Sequence, residues 1–230
     1  MSHRQNITRI KAVYNALEEM ASEVVFVGGA TVSLYTDRPG GETRPTEDVD
    51  ILVEVAHYSG YASVEEKLRA KGFVNDVESR VICRYKVNGI TVDVMPTSED
   101  ILGFSNRWYK SAFENAVQVT VDTDYKVSIF SAPYFLASKL EAFKHRGRND
   151  GRISSDFEDI IFVLNNRSLI WNELAETSGE LREYFFQELR SLLSNPYFEE
   201  WIGANLDYNE QGRVNYILKN IRELVEIETR

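Results

Sequence analysis

From Val49 to Val55 the chain reads as a strand with two unlike faces. Val49, Ile51, Val53 and Val55 point one way, and Asp48, Asp50, Leu52 and Glu54 point the other. A period of two requires extended backbone. The all-apolar side has to be packed, so the strand belongs inside a sheet-containing fold rather than a helical bundle. Asp48 and Asp50 then share a face, their Cα atoms about 6–7 Å apart, twice the rise per residue. Two carboxylates that close repel each other and call for a neutralising partner.

The segments around this strand support a mixed α/β first half. Ile7, Ile10, Tyr14 and Leu17 recur at helical spacing within a first helix running from Ile7 to about Met20. Val24–Val27 is a short β-branched and aromatic run that stops at Gly28-Gly29, and Ala30–Tyr35 looks like the start of a second helix. Asp37–Pro45, rich in Gly and Pro, predicts a surface loop. Ser63–Ala70 reads as a helix closed by Lys71-Gly72. Asn88-Gly89 between Val81–Val87 and Ile90–Met95 is a hairpin signal, and Ala116–Val121 and Val127–Phe130 are two more candidate strands.

Beyond Ser131 the pattern is helical. Ser131–His145 carries Pro133 in its first turn, where the missing N–H costs nothing. Ser155–Glu158 has the spacing of a capping box, and Leu169–Leu193 and Gln211–Glu228 are periodic, with Asn195-Pro196 breaking the first. The expected architecture is α+β, a mixed sheet with flanking helices over residues 1–130 followed by a helical domain over residues 131–230.

The chain has 230 residues, enough for one large or two small domains with a proper core. With 26 basic and 36 acidic residues its net charge is −10, which disfavours a nonspecific nucleic-acid coat. Cys83 has no second cysteine to pair with and reads as a small hydrophobe, so the chain is not a disulfide-stapled scaffold. The absence of an 18-residue apolar run and the polar first residues argue against a membrane span or signal peptide; a cytoplasmic location is expected. His3, His57 and His145 are too scattered to suggest a metal site.

Three features of the first half point to one site. Gly28-Gly29 lies between a strand and a helix, where the backbone can approach a ligand closely, although a plain tight turn uses the same pair. Asp48 and Asp50 are the second. The third is Asp93, an isolated acid in Thr91-Val92-Asp93-Val94-Met95. Three acids on neighbouring strands suit a hard cation such as Mg²⁺, and metal so held can carry a triphosphate and activate an attacking hydroxyl. In the second half Leu136, Leu140 and Phe143 form an apolar stripe beside Lys139, a lysine placed either to reach a phosphate or to snorkel at the surface. Asp156 and Asp159 share one helix face. Lys139, Lys144, Arg146, Arg148 and Arg152 form a local basic cluster around His145, either a solvated face or a surface for RNA or triphosphate.

Gly28-Gly29, then Arg44-x-Thr46-x-Asp48-x-Asp50, then Asp93 resemble the nucleotidyltransferase superfamily over residues 20–165. With Lys139-Leu140-Glu141-Ala142-Phe143-Lys144-x-Arg146 and Asp156-Phe157-Glu158-Asp159-Ile160, the chain is most similar to the AbiEii/AbiGii-like branch, the toxin side of type IV toxin–antitoxin and phage-abortive systems. The resemblance implies a nucleotidyltransferase-like sheet and Mg²⁺-dependent transfer of a nucleoside monophosphate from an NTP, with Mn²⁺ as a substitute metal. Asp48 and Asp50 would be the metal pair, and Asp93 a third metal-binding carboxylate that orients or deprotonates the acceptor. Gly28, Gly29 and either Thr31 or Ser33 would cradle phosphates, and Arg44 and Thr46 would position the loop ahead of the strand. Lys139 would neutralise the triphosphate, Asp159 would be the downstream essential acid, and the helical domain would complete the NTP and acceptor site. The implied acceptor is a tRNA 3′ end, with a small molecule such as an antibiotic as the alternative. A cognate antitoxin is the implied protein partner and no membrane is involved. From a different class, an inactive nucleotide-binding or interaction module stays open.

Overall fold

The computed structural model describes residues 2–38, 41–55, 57–103 and 105–226. The chain divides into two compact units, Met1–Leu34 with Glu42–Ser131, and Tyr35–Gly41 with Ala132–Arg230. The first is mixed α/β and the second is built almost wholly from helices.

In the first unit α1 (Ser2–Leu17) buries Asn6, Ile10, Val13 and Leu17, so the packed line is rotated from the expected one and Ile7 and Tyr14 are only half-buried. The helix gives way to a 3₁₀ turn, Glu18–Ser22, three residues before the expected end. Seven strands follow among the described residues: β1 (Val24–Val27), β2 (Asp48–Val53), β3 (Val74–Asn75), β4 (Arg84–Val87), β5 (Ile90–Pro96), β6 (Val117–Asp122) and β7 (Tyr125–Ile129). They form one mixed sheet in the order β3-β4-β5-β2-β1-β7-β6. β2 lies antiparallel to β1 and parallel to β5, so both neighbours of the acid-bearing strand are fixed. Val49, Ile51, Val92 and Val94 are fully buried, as the alternation required.

Between the strands lie α2 (Tyr58–Ala70), α3 (Glu99–Leu102) and α4 (Tyr109–Glu114), the last two unanticipated. The Tyr85 hydroxyl donates to Glu65 of α2 at 2.8 Å and that of Tyr61 to the Val94 carbonyl at 3.0 Å, which puts α2 against the apolar side of β4 and β5. Two expectations are corrected here. The segment after Gly28 is a six-residue 3₁₀ turn, Gly29–Leu34, not the start of an α-helix. β4 starts at Arg84, three residues later than expected, because Ile82 and Cys83 form a turn that exposes Ile82 while Cys83 stays buried.

The second unit contains α5 (Ala132–Arg146), α6 (Ser155–Asn166), α7 (Ile170–Ala175), α8 (Gly179–Leu193), α9 (Phe198–Ala204) and α10 (Arg213–Glu226). Phe143, Phe157, Phe198 and Trp201 pack edge-to-face or tilted, with centroids 5.1–6.2 Å apart, at the centre of its core. Ser154, not Ser155, caps α6, its hydroxyl accepting from the Phe157 N–H at 3.3 Å; the expected capping box does not form, because the residue three after this cap is Phe157 rather than Glu158. The single helix expected over Leu169–Leu193 is broken after Ala175, with Gly179 at φ +59°. Gln211 stays outside α10 because its side-chain amide donates to the Gly203 and Leu206 carbonyls. The far end of that predicted helix, Glu228, lies outside the described residues.

Tyr35–Gly41 was expected to include surface loop from Asp37 onward, yet it belongs to the helical unit. The Asp37 and Arg38 N–H groups donate to the Asn166 carbonyl at the end of α6, and the Asp37 carboxylate accepts from the Ser168 N–H and hydroxyl. Carbonyls at a helix end lack intrahelical donors, and this strap supplies them. Pro39 and Gly40 of that loop lie outside the described residues. No helix among the described residues is long and apolar enough to cross a membrane.

Candidate functional site

Strand register builds the site. Val27 pairs with Asp50, so the chain leaves β1 beside the second acid of β2. Gly28 there has φ +73°, and a Cβ on it would lie 1.8 Å from Asp50 Oδ2. A Cβ on Gly29 would meet the Arg44 guanidinium at 2.6 Å and Thr46 Cγ2 at 2.7 Å. The two glycines therefore admit the side chains of the site itself. Gly28→Ala is expected to cost about 1–3 kcal/mol from the backbone conformation alone, with the clash against Asp50 added. Equilibrium denaturation checks this; a loss below about 0.5 kcal/mol would mean that the turn re-forms without the left-handed residue.

The loop before β2 is held from α1. Buried Asn6 accepts from the Thr46 N–H and hydroxyl at 3.3 and 3.2 Å and donates to the Arg44 carbonyl at 3.4 Å. Thr46 is thereby engaged as a loop tie, while the Arg44 side chain lies against Gly29. Thr31 and Ser33 differ in the same way. The Thr31 hydroxyl donates to the Gly28 carbonyl at 2.9 Å, closing the turn, whereas the Ser33 hydroxyl, on a residue only 5% exposed, has no hydrogen-bond partner among the described residues.

Asp50 pairs directly with Asp93 across the parallel β2–β5 ladder, and Asp48 lies two residues back on the same face. Asp93 in turn pairs with Arg84 of β4. One row across the sheet therefore reads Arg84, Asp93, Asp50. The guanidinium forks onto Asp93, Nε to Oδ1 at 2.8 Å and Nη2 to Oδ2 at 2.7 Å, and Nη2 also reaches Asp48 Oδ2 at 3.2 Å. Its hydrogen bonds to Asp93 outweigh burial and raise the arginine pKa further, with the charges of Asp93, Asp48 and Asp50 adding to the effect. Cys83, next in the chain, is a buried thiol pushed up to about 11, first by burial and then by the Asp93 charge.

Asp93 and Asp48 are held by a guanidinium rather than in a ready cation cage: among the described residues no group of three His, Cys, Asp or Glu side chains is close enough to hold a metal ion. The chemistry of the acids nevertheless suits Mg²⁺, since Asp48, Asp50 and Asp93 offer only carboxylate oxygens and the register puts all three on one face.

The site residues of the helical unit form a separate network. The Lys139 ammonium lies 2.6 Å from Asp159 Oδ2 and 3.2 Å from Asp156 Oδ1, and all three residues are 6% exposed or less. Lys139 is thus no snorkelling surface residue. Arg146 forks onto Asp156 at 2.6 and 2.7 Å. Burial works to raise the Asp156 carboxyl, but Arg146 and Lys139 overcome it and hold the group below the ordinary carboxylate value. Elsewhere in the basic cluster Lys144 pairs with Glu188, and Arg152 with Asp150 and Glu200.

No protein-family model and no curated protein matches the chain. The structure therefore brings Gly28, Gly29, Arg44, Thr46, Asp48, Asp50 and Asp93 together in one unit, and Lys139 with Asp156 and Asp159 in the other. Two residues that contact the first group escaped sequence reasoning. Asn6 looks like one polar residue on a helix face. Arg84 was within reach, because a two-residue Asn88-Gly89 loop fixes Val87 opposite Ile90 and hence Arg84 opposite Asp93.

Proposed function

We propose that the chain is a Mg²⁺-dependent nucleotidyltransferase of the nucleotidyltransferase superfamily, similar to the AbiEii/AbiGii-like toxins. It moves a nucleoside monophosphate from an NTP to an acceptor. The observation that carries this reading is the pairing of Asp50 with Asp93 in adjacent parallel strands, with Asp48 on the same face and the Gly28 turn against Asp50. Asp48, Asp50 and Asp93 would hold the metal, whose charge there offsets the triphosphate and makes the acceptor hydroxyl easier to deprotonate.

In the reaction an acceptor oxygen forms a bond to the α-phosphorus as the bond to the pyrophosphate oxygen breaks. The acceptor proton passes to a carboxylate, for which Asp93 is the assigned base. Gly28 and Gly29 let Asp50 and Arg44 lie against the turn, where Arg44 would offer a cation to the phosphates, and Ser33 offers a hydroxyl. A toxin role, with a tRNA 3′ end as acceptor and an antitoxin as partner, belongs to the same resemblance. One observation favours a small-molecule acceptor instead: Lys139, Lys144, Arg146 and Arg152 are all spent on acidic partners, on a chain of net charge −10.

Phosphate release from each of the four NTPs in Mg²⁺, with total RNA or a metabolite extract as the acceptor source, tests the reading. Acceptor-dependent release of pyrophosphate is expected, and the source that supports it names the acceptor class. Orthophosphate without pyrophosphate would make the chain a hydrolase, and no release from any NTP would leave it a binding module.

A further inference from the structure

We propose that Arg84 is a built-in counter-ion of the acid row, whose charge opposes the uptake of a divalent cation by Asp48, Asp50 and Asp93. The inference rests on the reading of that row as a metal centre.

The guanidinium already uses the oxygens a metal needs, both carboxylate oxygens of Asp93 and Oδ2 of Asp48. A carboxylate oxygen bonded to the guanidinium keeps a second lone pair for Mg²⁺ at about 2.1 Å, but the two cations would then lie only about 4–5 Å apart and repel each other. Opposition follows from geometry. The backbone of Arg84 is fixed on both sides. The hairpin turn, Asn88 at φ 49° and Gly89 at φ 77°, sets its register against Asp93, and the Val94 N–H donates to the Cys83 carbonyl at 2.8 Å just before it. Its side chain is 26% exposed, on a long flexible stem, so the head can leave the carboxylates without unpairing β4 from β5.

Such a residue has two effects. Without metal it offsets the repulsion among three acids held on one face. With metal it lowers affinity, because a second cation is held within a few ångströms of the first. An NTP arriving with its metal removes that penalty, since the triphosphate offers the guanidinium a new anionic partner. Arg84 is thus a positioning residue that links metal uptake to substrate.

Mn²⁺ binding to the full chain, measured by titration calorimetry and by the electron paramagnetic resonance of free Mn²⁺, tests this without any turnover. With that opposing charge removed, Arg84→Met is expected to bind Mn²⁺ about tenfold more tightly than the wild type. Its metal-free Tm should fall, and its rise in Tm on saturation with Mn²⁺ should exceed that of the wild type. Arg84→Lys, which keeps a charge but not the fork, should fall between the two, and it carries the test if Arg84→Met does not fold. Mn²⁺ binding that is equal or weaker in both variants, while Asp50→Asn loses it, would overturn the counter-ion and leave the metal centre standing. Absence of Mn²⁺ binding in the wild type and in both variants would overturn the metal centre and the counter-ion together.

Discussion

Asp50→Asn is expected to abolish Mg²⁺-dependent NTP turnover while thermal unfolding stays unchanged or moves upward. Asparagine keeps the size and shape that fit against Gly28, so the turn should survive. What it removes is one of two charges paired directly across β2 and β5. A repulsive pair relieved is a gain in stability, and stability gained by removing a functional charge is a common trade in enzyme sites. A metal ligand lost is a loss of chemistry. The two readouts move in opposite directions only if Asp50 is part of a functional centre. Turnover at the wild-type level would remove Asp50 from the metal site, and a large fall in Tm would make it a structural acid.

The second large effect lies in the helical unit. Lys139→Met is expected to lower the stability of that unit by about 3–5 kcal/mol, because buried Asp156 and Asp159 lose the cation they share. Urea denaturation followed by the fluorescence of Trp201, in the aromatic core of that unit, reports it; a loss under 1 kcal/mol would show that the carboxylates re-pair elsewhere. The network also carries a pH signature. Arg146 and Lys139 hold Asp156 below its ordinary value of 3.8 in the fold. A depressed carboxylate contributes stability that is complete above the unfolded value and disappears as pH falls through the folded one. The gap between wild type and Asp156→Asn should therefore be widest near neutrality and close below about pH 3.8, the value from which the shift departs. A gap that stays constant down to pH 2 would mean that Asp156 is not the titrating group. Because this stability cost comes first, any effect of Lys139→Met on NTP affinity has to be measured under conditions where the variant is fully folded.

The strands and their faces were legible because alternation is a local signal: Val49, Ile51, Val92 and Val94 are the buried face that the sequence demands. The three acids could likewise be placed on one face from their neighbours. What alternation cannot supply is which strand lies beside which. That β2 pairs with β5, skipping β3 and β4, is a nonlocal choice, and it alone turns Asp48, Asp50 and Asp93 into one row. The 3₁₀ turn at Gly29–Leu34 was read as α because six residues carry too little periodicity to tell the two apart. Lys139 was judged by its own helix, but its burial is decided by Asp156 and Asp159 on the next one. Arg84 was the avoidable miss. The Asn88-Gly89 turn sets the pairing of β4 with β5, and counting outward from it places an arginine opposite Asp93.

The central claim is that the acid row transfers a nucleotide. Each α-labelled NTP, supplied in turn with Mg²⁺ to the purified chain mixed with total RNA and soluble extract, tests it most directly beside the Asp48→Asn/Asp50→Asn double variant. Label that enters an RNA, protein or small-molecule fraction with the wild type and is absent with the variant is the predicted result. Label that appears equally with both, or with neither, would contradict it.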